Sequence, residues 1–225
     1  VILPTDLLSF LYYHKKFRMI NWVLARAWQG RGFRFQGKAY RYFLSDYNDT
    51  MLNERAVEIP IILGVLAEYR GKDILEIGNV LSHYVPVGHT ILDKYESGPG
   101  VINEDICTYS PGRQFGCIVS ISTLEHVGYD ETPKRPENCI AALENIRRLL
   151  AEGGQAWITI PTGYNPVIEE YLEQGTIAFD ESYGLRRISR WNDWVECPVD
   201  DVRKRPFGPP HAPYATGIII GVVKN

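Results

Sequence analysis

The chain is short of several things at once. It has only four cysteines (Cys107, Cys117, Cys139 and Cys197) among 225 residues, with no C-x-x-C pair and no histidine closely spaced with them. Such spacing excludes a zinc knuckle and any disulfide framework, and fits reduced thiols in a cytoplasmic protein. Cys117 lies inside an apolar run and reads as a small core residue. Basic excess is also missing: 24 Lys and Arg stand against 27 Asp and Glu, a formal net charge of -3. A general nucleic-acid surface needs the opposite balance, so no nucleic acid is expected as a partner. Two short basic runs, Arg186, Arg187 and Arg190, then Arg203 to Arg205, read as solvated loop charges. No apolar run is long enough for stable membrane insertion. The opening stretch is interrupted by His14, Lys15, Lys16 and Arg18 and reads as an amphipathic helix to about Trp28, with Leu7, Leu8 and Leu11 on one face. The first residue is Val1, which leaves open what precedes it. No acid cluster suits a metal, since the neighbouring side chains of Asp200 and Asp201 diverge in an extended segment.

What is present has a globular balance, 45% hydrophobic and 23% charged. Gly30 and Gly32 break the first helix, and Gln36-Gly37 sits at the centre of a small hairpin. Asp49 or Thr50 caps a second helix that runs, kinked at Pro60, to Gly71. From Lys72 the pattern changes to short apolar runs between turns. Residues 73–77, 90–92, 101–102, 117–121 and 156–160 each have the length and composition of a buried strand. Between the last two, residues 136–150 place Ile140, Leu143, Ile146, Leu149 and Leu150 at helical spacing, and Gly153-Gly154 ends that helix. Residues 185–189 and 217–223 add two strand candidates. This alternation predicts a mainly parallel sheet covered by helices. A helical and hairpin extension, residues 1-71, is expected to pack on a core of residues 72-225 as one structural domain.

The segment Ile74-Leu75-Glu76-Ile77-Gly78-Asn79 reads as a buried strand ending in acid-x-glycine. Gly78 there lets a ligand approach the backbone, and the amides that follow can bind it. Taken alone, the fragment suits an ordinary tight turn equally well. The next strand ends at Asp93, a carboxylate able to accept two hydrogen bonds from a ribose diol. Asp105, after the third, could accept from an adenine amino group. A nicotinamide enzyme would use Asp93 in the same way. It needs G-x-G-x-x-G, however, and Val80 and His83 stand where the later glycines belong.

Taken in order, these segments, with residues 115–127 and Leu149-Leu150-Ala151-Glu152-Gly153-Gly154, resemble class I S-adenosylmethionine-dependent methyltransferases. The resemblance spans residues 72–161, and its most specific piece is residues 120–127, which include Leu124-Glu125-His126-Val127. The preceding Asn53-Glu54-Arg55-Ala56-Val57-Glu58-Ile59-Pro60 is similar to the segment ahead of the core in methyltransferases of bacterial glycan and cell-surface biosynthesis clusters. The resemblance implies an α/β, Rossmann-like fold with a mainly parallel seven-stranded sheet and helices on both faces. It also implies S-adenosyl-L-methionine as cofactor and S-adenosyl-L-homocysteine as product. Carried over, Glu76 and Gly78 face the methionine part and Asp93 binds the ribose; in the loop after Gly78, Asn79, Ser82 and Tyr84, helped by His83, are read as closing over the cofactor. Asp105 and Ile106 take the adenine, and Ser122, Thr123 and Leu124 border the pocket. Read from its own chemistry, Arg55 could hold the cofactor carboxylate or an acidic substrate, or form a surface ion pair with Glu58 or Glu54. Two departures stand out. Val80 and Ser82 occupy places usually held by glycine, and the spacings from Gly78 to Asp93 and on to Asp105 leave room only for abbreviated crossover helices.

For the chemistry, His126 is the first candidate for a general base, because it follows the strand whose end faces the donor methyl; shaping the turn is the alternative. His83 is the second candidate. Tyr164 and Asn165, at the sheet's carboxyl edge, and Trp191 are expected to contact substrate. The combined expectation is cytoplasmic methyl transfer to a small-molecule or glycan acceptor, at a hydroxyl oxygen and without a metal. A homo-oligomer is compatible with it. A non-catalytic methyltransferase-like binding module, and methylation of a protein or nucleic acid, remain as alternatives.

Overall fold

The computed structural model describes Trp28, residues 30–208 and residues 214–225. The amphipathic helix expected over Leu7, Leu8 and Leu11 lies outside the described residues. A hairpin comes first, β1 (Gly32–Phe35) pairing with β2 (Lys38–Arg41). Its turn residues Gln36 and Gly37 have φ of 48° and 72°. Two left-handed residues in a two-residue turn match the twist of the paired strands.

The next helix starts later than its expected cap. α1 (Arg55–Glu68) begins beyond Asp49 and Thr50. The Thr50 hydroxyl is used in the loop instead, donating to the Phe43 carbonyl at 2.9 Å and accepting from the Ser45 amide at 2.8 Å. Asn53 Oδ1 accepts the Arg55 amide at 3.0 Å. Pro60, inside α1, has no N–H for the Ala56 carbonyl, and the Phe43 amide fills that place at 2.9 Å. One proline therefore ties the chain after the hairpin to α1.

The remaining elements run β3 (Ile74–Ile77), β4 (Thr90–Leu92), β5 (Val101–Ile102), β6 (Phe115–Ile121), α2 (Asn138–Leu149), β7 (Leu150–Pro161), α3 (Pro166–Gln174), β8 (Glu181–Arg187), β9 (Trp194–Cys197) and β10 (Gly217–Lys224). One sheet holds eight of the strands, in the order β5-β4-β3-β6-β7-β10-β8-β9. β3 to β7 are parallel, β10 is antiparallel to both β7 and β8, and β9 is an antiparallel edge. This is the Rossmann-like class I methyltransferase arrangement with one strand beyond the expected seven, namely β9. The first crossovers are shorter still than expected. A single 3-10 turn (Leu81–His83) joins β3 to β4, and no helix joins β4 to β5 or β5 to β6.

Alternation along β6 decides what covers each face. Cys117, Val119 and Ile121 pack with Ile59 and Ile62 of α1, while Ile118 packs with Ala142, Leu143 and Ile146 of α2. Each valine, leucine or isoleucine among them, fully buried, is worth about 1.5–3 kcal/mol of transfer free energy. The helix α3 was not anticipated, although its ends carry the usual signals. Asn165 Oδ1 accepts the Val167 and Ile168 amides, Pro166 is the first helical residue, and Gly175 leaves at φ 73°. Among the described residues no helix is long and apolar enough to cross a membrane.

Candidate functional site

Strand order reverses at β3: the chain moves outward to β4 and β5, then returns to add β6 on the other side. Open α/β sheets bind ligands at such a point, beyond the strands' carboxyl ends. A cleft of about 300 Å³ lies there. Of the residues anticipated from sequence, Gly78, Asn79, Asp93, Asp105, Ile106, Thr123 and His126 line it, joined by Leu92, Lys94, Tyr95, Glu96, Glu104, Val127 and Glu131 among others. Gly78 is required twice over. Its φ is 82°, and a Cβ there would stand 2.2 Å from Thr123 Oγ1.

Glu76 does not face the cleft, contrary to expectation. It is fully buried. Its Oε1 accepts the Val80 and Leu81 amides at 2.9 and 2.7 Å, and its Oε2 meets His89 Nε2 at 2.6 Å. The reason lies in the missing helix. Without i→i−4 carbonyls, the loop's amides need another acceptor, and this carboxylate supplies it. Asp93 does similar work while lining the cleft. Its Oδ1 accepts the Tyr95 and Glu96 amides at 2.9 and 2.7 Å, and its Oδ2 accepts the Asn79 amide at 2.8 Å. One acceptor position on Oδ2 is left for a ligand hydroxyl.

Ser82 and His83 stand behind the cleft. Ser82 Oγ donates to Asn79 Oδ1 at 2.5 Å, and Asn79 Nδ2 donates to Glu96 Oε1 at 2.7 Å. His83 Nε2 reaches the same Glu96 oxygen at 2.8 Å, and its ring stacks on Tyr47 with centroids 4.6 Å apart. Lys94, which no local pattern singles out, bridges Asp105 at 2.8 Å and Glu131 at 2.9 Å. Burial pushes the Asp105 carboxyl up, but the Lys94 ammonium and the Cys107 amide outweigh it and hold the group below its ordinary value.

Arg55, Ser122 and Leu124 are also turned away from the cleft. Fully buried Glu58 accepts from Ser122 Oγ at 2.6 Å, Thr159 Oγ1 at 2.7 Å and Arg55 Nη1 at 2.8 Å. A buried carboxylate needs such a complete set of donors, so Arg55 takes the ion-pair role rather than the cofactor's carboxylate. Leu124 belongs to the core under α2.

At the end of β6, His126 Nδ1 meets Asp130 Oδ2 at 2.5 Å, and the Tyr164 hydroxyl donates to the same oxygen at 2.6 Å. A carboxylate beside Nδ1 takes its N–H, which leaves Nε2 as the nitrogen with the lone pair. The Tyr164 ring meets the imidazole edge-on at 4.6 Å and packs against Phe207 at 5.4 Å. Burial and the adjacent Asp130 raise the Tyr164 phenol, so it stays a donor. Beneath the imidazole, Glu125 is fully buried with neither carboxyl oxygen hydrogen-bonded, and its Oε1 is 3.7 Å from His126 Nε2. Burial pushes its carboxyl well above the usual carboxylate range. Asn165 is buried rather than placed for substrate, since its Nδ2 donates to the Glu125 carbonyl at 2.7 Å and its Oδ1 caps α3. Trp191 is exposed on the turn after β8 and does not line the cleft.

No family model matches the chain, and no curated protein matches it. Solved structures do. The N-methyltransferase NodS from Bradyrhizobium japonicum WM9, in complex with S-adenosyl-L-homocysteine, is similar at 13% identity over 77% of this chain and 88% of that one, with a TM-score of 0.45. A Thermotoga maritima S-adenosylmethionine-dependent methyltransferase, a possible histamine N-methyltransferase, is similar at 14% identity over 81% and 96%, with a TM-score of 0.46. Magnesium protoporphyrin IX methyltransferase from Synechocystis PCC 6803, with bound cofactor, shows 10% identity over 100% and 99%, with a TM-score of 0.43. These likenesses are distant. The strand order β5-β4-β3-β6-β7-β10-β8 defines the fold independently of them.

Proposed function

We propose that this chain transfers a methyl group from S-adenosyl-L-methionine to a small-molecule or glycan acceptor, at a hydroxyl oxygen, in the cytoplasm. The observation that carries the reading is the Asp130-oriented imidazole of His126 in the wall of an acidic cleft at the strand-order reversal. The residues present suit this cofactor. Asp93 Oδ2 keeps one position for a ribose hydroxyl, Leu92, Ile106 and Val127 offer apolar surface to a purine, and Asp105 lies at their side. Five carboxylates (Asp93, Glu96, Glu104, Asp105 and Glu131) suit a positively charged sulfonium, which supplies an electrophilic methyl group when bound.

The chain's own residues then do two things. The cleft aligns the acceptor with the methyl group, and positioning of this kind is worth on the order of 7–11 kcal/mol in favourable cases. His126 Nε2 takes the hydroxyl proton as the oxygen attacks, and Asp130 holds the resulting imidazolium in place. Tyr164 fixes Asp130 from the other side. A base of this kind contributes roughly 10²–10⁴-fold. Calorimetric titration with S-adenosylmethionine and S-adenosylhomocysteine tests the cofactor. Binding that weakens in Asp93→Ala is expected, and no binding of either ligand by the unaltered chain would sink the reading. With an acceptor found, beginning with sugars, His126→Ala should keep cofactor affinity and slow turnover by roughly 100-fold. Unchanged turnover would remove His126 from the mechanism.

A further inference from the structure

The two basic runs of the sequence, at the end of β8 and at residues 203–205, meet at one pocket. It has a volume of about 300 Å³ and its lining includes Arg187, Arg190, Arg205, Tyr214 and Thr216, with no carboxylate. Arg187 is buried and fixed, its guanidinium donating to the carbonyls of Leu52, Ser189 and Arg190 at 2.9, 3.1 and 3.2 Å. The Tyr214 ring covers it at 4.2 Å. Arg205 donates through Nε to the Thr216 carbonyl at 3.0 Å, which leaves its two terminal nitrogens. Neither Arg190 nor Arg205 has an ion-pair partner among the described residues. Asp193, the acid nearest along the chain, is already committed to Arg31 and to Ser189. In a chain of net negative charge, three guanidinium groups thus share a pocket whose lining holds no carboxylate; Glu54 and Asp193 act on Arg187 from outside it, and neither pairs with Arg190 or Arg205.

We propose that this pocket receives a phosphoryl group carried by the methyl acceptor. Calling the ligand the acceptor rests on the methyl-transfer reading, whereas the anion site rests on the arginines alone. Position supports the link. The strands run β6, β7, β10, β8, three steps of ~4.8 Å sideways, and Ile121 at the end of β6 is level with Tyr183, four residues short of Arg187, so the ends of β6 and β8 stand about 20 Å apart. One short stretch of chain borders both places, because Arg205 lines the pocket while Phe207 packs on Tyr164, which packs on His126. A sugar monophosphate is too short for this distance, whereas an extended glycosyl phosphodiester or a phosphorylated oligosaccharide spans it, with its hydroxyl at His126 and its phosphoryl oxygens among the arginines. Phosphate fits better than carboxylate. A single arginine satisfies a carboxylate through two parallel bonds, whereas Arg190 and Arg205 line the pocket from separate stretches of chain and suit a group with more oxygens.

The experiment is calorimetric titration of the full chain with inorganic phosphate at constant ionic strength, with chloride and acetate as controls. Saturable binding of phosphate is expected, weakened about tenfold in the R190Q/R205Q double variant. Arg190→Gln alone, at an exposed side chain with no bond to lose, should weaken it several-fold. S-adenosylmethionine affinity should be unchanged in both variants, which also shows that they fold. Absence of saturable phosphate binding, acetate binding as tight as phosphate, or binding indifferent to both variants would overturn the proposal. Failure of the methyl-transfer reading appears separately, as loss of S-adenosylmethionine binding by the unaltered chain.

Discussion

Between β6 and β8 the chain crosses the sheet through α2 and α3, whereas between β3 and β6 it crosses through turns. The two halves are consequently held by different forces. Under α2, apolar side chains such as Ala142, Leu143 and Ile146 pack on Ile118 and Ile158, and the helix satisfies its own amides. Beside the cleft, two carboxylates replace the helices. Glu76 accepts two loop amides and Asp93 accepts three. A carboxylate that gathers amides costs little chain length and leaves the strand ends uncovered. The half whose crossovers lack helices is therefore the half with the cleft.

Substitutions in the two halves should separate these forces. The largest effect is expected from Glu76→Ala, which strands two amides and His89 in a buried place. Stability to denaturant should fall by about 4 kcal/mol, and cofactor affinity should fall with it. Equal affinity in the variant would mean that the loop shapes itself without the carboxylate. Ile146→Ala in the helical half should cost about 3 kcal/mol in the same unfolding experiment. Cofactor affinity per folded molecule should stay unchanged, and a parallel loss would show the halves to be coupled.

The smallest effect concerns Lys94 and Asp105. The Asp105 carboxyl titrates below its ordinary value of 3.8 in the folded chain. Its contribution is therefore complete above that value and is lost as pH falls through the lower, folded one. The stability gap between the unaltered chain and Lys94→Gln should be no more than about 1 kcal/mol for a partly exposed pair. It should hold steady above about pH 5 and close toward about pH 3. A gap that instead widened in acid would reverse the sign assigned to Asp105.

The strands were legible because buried strands are apolar runs bounded by turns. β4 and β5 fall on the residues anticipated, and β10 differs only by including Lys224. Residues just past a strand end, such as Gly78, Asp93, Asp105 and His126, were legible for the same reason, since a strand's end fixes where its next residue lies. Direction was harder to read. Glu76, Ser122 and Leu124 stand beside these residues in sequence but turn into the protein, because Glu58 and the loop amides claim the first two and the core under α2 claims the third. Partners brought in from a distance gave no local signal. Glu131 reaches Lys94 and Glu58 reaches Thr159 only after the sheet is assembled. The arginine pocket is likewise invisible until β10 brings Thr216 between the two basic runs.

The five carboxylates around the cleft have a consequence for the timing of a catalytic cycle. On the methyl-transfer reading, each turnover converts a cation into a neutral thioether inside a negative field. The field therefore holds the donor and loses its grip on the by-product at the moment the methyl group leaves. Loading and discharge are biased in opposite senses by the same fixed charges, with no moving part required. Salt screens such a field, so rising ionic strength should narrow the difference between the two affinities by weakening the donor's alone.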